Sequence, residues 1–227
     1  MKLGTDVAPV DALMGGGVES GTFTMFYGEG GTGKTTLCLH LCLQCVNAGG
    51  KVAFVDTEGV SMERFQQLAG DRGDQVARDM LFFEAYDMKQ QTEAVNKVIH
   101  LCQAEKRIRL VVLDSLTVFY RLALGTGEES AFRSRLSSQV VKLLSTARQL
   151  DLVVVGTTQV YRDGNTCQVR PIGGHMLMHN AKAVFAIERH ESGERELVVT
   201  KHRSLKEGDS IRFVLGPTGI EVLNKTG

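Results

Sequence analysis

The clearest chemistry in the chain lies in Gly28-Glu29-Gly30-Gly31-Thr32-Gly33-Lys34-Thr35, with Thr36 directly after it. The segment fills the pattern G-x-x-x-x-G-K-[ST] at every specified position. Glycines let successive backbone N–H groups turn inward around phosphates, and a following helix adds the positive end of its dipole. In such a loop Lys34 reaches the β- and γ-phosphates of ATP, and the Thr35 hydroxyl is a ligand for Mg²⁺. The competing reading is a glycine-rich turn that merely joins a strand to a helix. The complete motif, set between an apolar run ending at Tyr27 and a helical pattern starting near Lys34, argues against it.

Two further segments bring acidic side chains. Leu110-Val111-Val112-Leu113-Asp114-Ser115 is an apolar run ending in a carboxylate. A buried strand that ends so places Asp114 at the carboxyl edge of a sheet, where open α/β folds bind ligands. There it holds the Mg²⁺ shell, in partnership with Thr35. Val52-Ala53-Phe54-Val55-Asp56-Thr57-Glu58-Gly59 sets Asp56 and Glu58 at the tip of another strand. Glu58 there can align and activate the water that attacks the γ-phosphate. A solvated strand-end acid, or a cap for the next helix, stays open beside that role.

These residues need a parallel sheet to gather them, and the pattern supplies one: apolar strands alternate with amphipathic helices. Strands are expected at Thr22–Tyr27, Lys51–Asp56, Met80–Glu84, Leu110–Asp114 and Leu152–Thr157. Helices are expected from about Lys34 to Ala48 and from about Met62 to Leu68. Two more follow, one burying Val95, Val98, Ile99 and Cys102, the other Leu136, Val140, Leu143, Leu144 and Ala147. A loop covers about Thr117 to Glu129, and a polar segment covers Tyr161–Arg170. The C-terminal part turns to strands at Ala183–Ile187, Glu196–Thr200, Ser210–Leu215 and Gly219–Val222, with Gly216-Pro217-Thr218-Gly219 as a hairpin loop. No repeat or long linker interrupts the 227 residues, so a single domain over residues 1–227 is the economical expectation.

Composition is that of a globular protein: 43% hydrophobic, 23% charged, net charge zero. A generally basic nucleic-acid coat is thereby excluded, although a local basic patch is not. No apolar run approaches the roughly 18 residues that span a bilayer, and no signal-peptide core is present. A cytoplasmic location without membrane attachment is expected. The five cysteines are Cys38, Cys42, Cys45, Cys102 and Cys167. Cys38, Cys42 and Cys45 share a helix face with Leu41, which reads as a buried stripe rather than a metal site.

The three nucleotide segments in this order resemble the RecA/RadA recombinase superfamily over nearly the whole chain. The resemblance implies a RecA-like α/β core with C-terminal β-strands. It assigns the water-activating glutamate to Glu58 and the γ-phosphate sensor to Gln159 in Thr157-Thr158-Gln159-Val160. Met62-Glu63-Arg64-Phe65 resembles the place where recombinases stack an arginine on the adenine, one residue short. Arg170-Pro171-Ile172-Gly173-Gly174-His175, continuing to His179-Asn180-Ala181, is similar to the archaeal recombinase segment after the second DNA-binding loop. The glycine loop lies within 30 residues of Met1, which leaves no place for the N-terminal helical domain or the aromatic docking segment of RadA. Thr200-Lys201-His202-Arg203-Ser204, Glu207-Gly208 and Gly219-Ile220-Glu221 are similar to the archaeal RadB family of short RadA paralogues.

That resemblance implies ATP and DNA binding, weak ATP hydrolysis and no strand exchange by the chain itself. It further implies RadA-type or other repair partners, single-stranded DNA as ligand, and a possible homo-oligomer. Arg121, Arg133 and Arg135 flank the first loop and Arg162 and Arg170 the second, as phosphate contacts, although Glu128 and Glu129 lie among them. A solvated loop rim explains the same arginines. Lys201 and Arg203, two apart at a strand end, are expected on one side of the strand. Some RecA-like ATPases aim such a pair at the γ-phosphate of a neighbouring subunit; a solvated edge is the plainer reading. The loop Gly30–Thr36 also fits KaiC-type ATPases. A KaiC-like signalling ATPase and an ATP-gated adaptor with incidental hydrolysis therefore stay open.

Overall fold

In this computed structural model, residues 1–162 and 169–223 are described; Cys167 and the Arg162 side chain lie outside that description. The chain begins with β1 (Lys2–Leu3), α1 (Ala8–Leu13) and β2 (Val18–Glu19), the two strands forming a small antiparallel pair. The nucleotide-loop region follows as β3 (Thr22–Tyr27), α2 (Lys34–Asn47) and β4 (Lys51–Asp56). Next come α3 (Met62–Ala69), α4 (Gly73–Arg78), β5 (Met80–Glu84), α5 (Met88–Ala104) and β6 (Ile108–Asp114). The second half runs α6 (Val118–Leu122), α7 (Glu129–Leu150), β7 (Val153–Thr158), β8 (Val160–Arg162), β9 (Val169–Pro171) and α8 (Gly174–Asn180). It ends in β10 (Ala183–Arg189), β11 (Arg195–His202), β12 (Ser210–Gly216) and β13 (Gly219–Val222).

Nine strands form one sheet in the order β13-β12-β11-β10-β3-β7-β6-β4-β5. From β10 to β5 all neighbours are parallel; β10 to β13 are antiparallel. The strands' period-2 alternation divides the apolar side chains between two cores. Phe26, Phe54, Val112 and Phe185 pack under α1 to α4, while Phe23, Met25, Val111, Val154 and Val184 pack under α5 to α8. Covered on both faces, the central strands are mainly apolar on both, as the sequence pattern requires. Register then fixes the site: Tyr27 is opposite Thr158, and Asp56 is opposite Asp114, so their carboxyl ends emerge together.

Helix α2 is buried on nearly all sides, with Leu37, Cys38, Leu39, Leu41, Cys42 and Cys45 in the core. Burial pushes the thiols up, to about 12 at Cys45 and about 11 at Cys102, so neither is a thiolate nucleophile or a ready metal ligand. No cluster of three metal-ligating side chains exists among the described residues. Local caps agree with the helix starts: Ser61 accepts from Arg64 N at 3.1 Å and Asp87 from Gln90 N at 2.7 Å. The stretch expected as an open loop after Thr117 holds the one-turn helix α6. Its Phe119 and Tyr120 are buried against the α7 side of the core, and five residues are too few for periodicity to reveal.

Candidate nucleotide and nucleic-acid site

The loop between β3 and α2 takes its shape from glycine. Gly31 and Gly33 have φ of +73° and +105°, a region that side chains with a Cβ rarely adopt. A Cβ on Gly28 would lie 2.2 Å from the Ile187 carbonyl oxygen of β10, so the loop can leave β3 there only without a side chain. Lys34, at the start of α2, turns back over the loop: Nζ donates to the carbonyls of Gly28 at 2.9 Å and Glu29 at 2.7 Å. Burial lowers its pKa, against the pull of Asp114 and Glu58. Thr32 donates to Glu29 O at 3.0 Å, and Thr36 is buried.

Thr35 and Asp114 meet. The Thr35 hydroxyl donates to Asp114 Oδ2 at 2.6 Å, and Thr157 donates to the other oxygen. Burial pushes the Asp114 carboxyl up, while the bonds from Thr157 and Thr35 act in the opposite direction. A hydroxyl and a carboxylate, both oxygen donors beside the loop, match the demand of a hard divalent cation. Thr157 was not among the sequence-based site residues. Its signal is its place at the end of β7, next to β6.

Asp56 braces its own loop, accepting from the amides of Gly59 at 2.8 Å and Val60 at 2.7 Å. Glu58, exposed beyond it, is held by two donors. Ser115 Oγ lies 2.7 Å from Oε1, and Gln159 Nε2 lies 3.1 Å from Oε1 and 3.2 Å from Oε2. Ser115 is fixed in turn by Thr57, which donates to its carbonyl at 2.9 Å and accepts from its amide at 2.8 Å. The structure therefore brings Glu58 and Gln159 together, and adds Ser115, which sequence reasoning missed.

Arg64 projects from α3 toward the β12–β13 turn. Its Nη1 donates to the carbonyls of Gly216 at 2.9 Å and Pro217 at 3.3 Å, leaving buried Nη2 without a partner among the described residues. Leu215 of the same hairpin packs 3.2 Å from where a Gly33 Cβ would stand. The C-terminal hairpin is thus the wall that joins Arg64 to the glycine loop.

The arginines expected at phosphates occupy varied positions. Arg133 donates to Tyr120 Oη at 3.3 and 3.2 Å, and Arg135 lies 5.8 Å over the Phe132 ring. Arg170 sits on β9, paired with Tyr161 of β8. Arg121, at the end of α6, points inward instead: its Nη1 lies 2.6 Å from Gln159 Oε1. Glu129 accepts from the Gly125 amide at 2.5 Å, which ties one of the intervening acids into the loop. The two loops do converge. Tyr120 of the first and Tyr161 of the second, with Arg133 of α7 and His175 of α8, line one cavity of about 300 Å³.

Lys201 and Arg203 do not share a side. β11 ends at His202, so the period-2 rule does not carry on to Arg203. Lys201 Nζ caps the C-terminal end of α8, donating to Met178 O at 2.6 Å and Ala181 O at 2.9 Å, while Arg203 pairs with Glu19 of β2.

No helix among the described residues is long and apolar enough to cross a membrane. The Rad51 family model matches residues 1–222. The chain is 40% identical over 214 residues to the DNA repair and recombination protein RadB of Methanococcoides burtonii, covering 93% of this chain and 94% of that protein. It is 40% identical over 223 residues to the protein of the same name from Archaeoglobus fulgidus, covering 97% and 98%. A crystal structure of the RadB recombinase superposes with a TM-score of 0.83 at 32% identity, covering 98% of this chain and 100% of that one. With a RecA-like core, a complete phosphate loop and these matches over nearly its full length, the chain belongs to the Rad51 family and stands among its RadB members.

Proposed function

We propose that the chain is an ATP-dependent, DNA-binding accessory protein of recombination and repair, a weak ATPase that does not exchange strands itself. The observation that carries this reading is the junction of three segments at one sheet edge: Lys34 and Thr35 beside Asp114, and Glu58 under Gln159. Membership of a family of recombination ATPases supports it.

In this reading the amides from Gly28 to Thr36 cradle the phosphates, Lys34 offsets their charge, and Arg64 with the C-terminal hairpin bounds the adenine side. Thr35 and Asp114 would hold Mg²⁺, which when bound would supply positive charge against the phosphates. Glu58 orients the attacking water and accepts its proton on a carboxylate oxygen, and Gln159 senses the γ-phosphate. Glu58 has donors on both oxygens, which accords with slow turnover in an isolated chain. Single-stranded DNA lies against the cavity of Tyr120, Arg133, Tyr161 and His175, where aromatic faces and a cation suit bases and phosphates. Arg135, Arg162 and Arg170 add phosphate contacts. A RadA-type recombinase or another repair protein is the expected partner, and the cytoplasm the location.

The test measures ATP hydrolysis with and without single-stranded DNA, together with the salt dependence of DNA binding. Lys34→Ala should abolish hydrolysis. Removing Arg162 and Arg170 should flatten the salt slope by up to about two phosphate contacts. Hydrolysis at the wild-type rate in Lys34→Ala would overturn the nucleotide assignment, and an unmoved salt slope would remove the second loop from the DNA interface.

A further inference from the structure

Arg121 has the place of a loop arginine and the contacts of something else. It is exposed at the end of α6, yet its guanidinium lies 2.6 Å from Gln159 Oε1. A guanidinium carries donors only, so the Gln159 oxygen must face it and the NH₂ must face away. That NH₂ meets Glu58, an acceptor when ionised, at 3.1 and 3.2 Å from its two oxygens. Arg121 thereby fixes which end of the Gln159 amide points at the carboxylate. With Ser115 Oγ at 2.7 Å, three of the roughly four acceptor positions of Glu58 are filled. A water that Glu58 is to align therefore competes with the amide for the carboxylate.

The backbone around this relay is firmly tied. Ile172 N donates to Gln159 O at 2.8 Å, and Thr117 and Thr158 share a hydroxyl bond of 2.7 Å between the start of α6 and the end of β7. The side chains of Arg121 and Gln159 are therefore the parts free to rearrange. A phosphodiester competes well for Arg121, because an arginine–phosphate pair joins opposite charges and can be bidentate, whereas Arg121 makes a single bond to the uncharged Gln159 amide.

We propose that Arg121 is a positioning residue for hydrolysis that links nucleic-acid binding to Glu58. It clamps Gln159 onto the carboxylate, and a nucleic-acid phosphate that takes Arg121 opens the clamp. The proposal rests on the ATPase and DNA reading above and adds the regulation of that site. Losing the clamp raises turnover and leaves the main ATP-binding groups in place, since the bonds described for Lys34, Thr35 and Asp114 do not involve Arg121.

The experiment compares wild type, Arg121→Ala and Arg121→Lys in steady-state ATP hydrolysis, with and without a thymidine oligonucleotide. Arg121→Ala should raise the DNA-free kcat about threefold or more, leave KM for ATP unchanged, and abolish the response to the oligonucleotide. Arg121→Lys, still a donor to Gln159 and to phosphate, should restore the low basal rate. A kcat in Arg121→Ala that is unchanged or lower, or an oligonucleotide response that survives, would overturn the proposal. A second readout is independent of turnover: the Gln159 side-chain NH₂ signals, followed by NMR in nucleotide-free protein. The oligonucleotide should move them in wild type and not in Arg121→Ala. Signals that stay put in wild type contradict the clamp. Signals that respond in a protein that never hydrolyses ATP uphold it and contradict the ATPase reading instead.

Discussion

The hydroxyl of Thr35 and the carboxylate of Asp114, 79 residues apart in the chain, lie 2.6 Å apart in the fold. Two parallel strands and one glycine loop create that contact, and Thr157 completes it from the other side of the carboxylate. Asp114 is only 5% exposed, so its oxygens depend on these hydroxyls rather than on water. Thr157→Val keeps the shape and removes one donor. The expected cost is about 1.5–3 kcal/mol, typical for a hydrogen bond to a buried charged group. Thermal unfolding should show Tm lowered by roughly 3–10 °C. A Tm within a degree of wild type would mean that Asp114 does not rely on Thr157.

Gly28→Ala tests the loop's exit from β3. The new Cβ would stand 2.2 Å from the Ile187 carbonyl, and that atom belongs to β10, which is hydrogen-bonded on both sides. Neither partner can rotate away, so one strand has to shift. The destabilisation should be at least about 2 kcal/mol, read as a lower denaturant midpoint at an unchanged slope. An unaltered midpoint would contradict the close approach.

His40 makes stability depend on pH. It sits on α2 against the C-terminal hairpin, where Ile220 N donates to its Nε2 at 3.3 Å, and burial is the main cause that lowers its pKa. A backbone hydrogen bond at Thr5 and the charges of Asp6 and Asp11 oppose this, while Arg64 reinforces it. The unfolded chain then binds the proton more readily than the folded one. The stability contributed is present above the ordinary histidine pKa and is lost as pH falls through that value toward the depressed folded one. His202, lowered mainly by burial, acts with the same sign. Chemical denaturation should show wild type weakening from pH 7 to pH 5, with a shallower loss in His40→Gln. Identical pH profiles would rule out His40 as a contributor.

Much of this was legible in the sequence, for reasons that differ by residue. The glycine loop declares its chemistry because the backbone conformation itself demands glycines, and Asp114 is marked by the apolar strand that ends in it. The paired cores follow from central strands that are mainly apolar on both faces. What pattern cannot supply is the direction of a side chain. Ser115 and Thr157 look like ordinary strand-end residues until register sets them beside Glu58 and Asp114. Arg121 reads as a loop-rim cation because its partner, Gln159, lies 38 residues away on another strand end. Lys201 and Arg203 share a side only if alternation continues past His202, where β11 ends.

In the proposed function this site hydrolyses ATP with Glu58 as the base. The most direct test follows phosphate release by wild type and Glu58→Gln at saturating ATP and Mg²⁺, with the Kd for ATP measured on the same samples. Glutamine keeps the size of Glu58 and removes its capacity to accept a proton. The rate should fall on the order of 10²-fold or more while binding is nearly unchanged. Equal rates in the two proteins would contradict the claim.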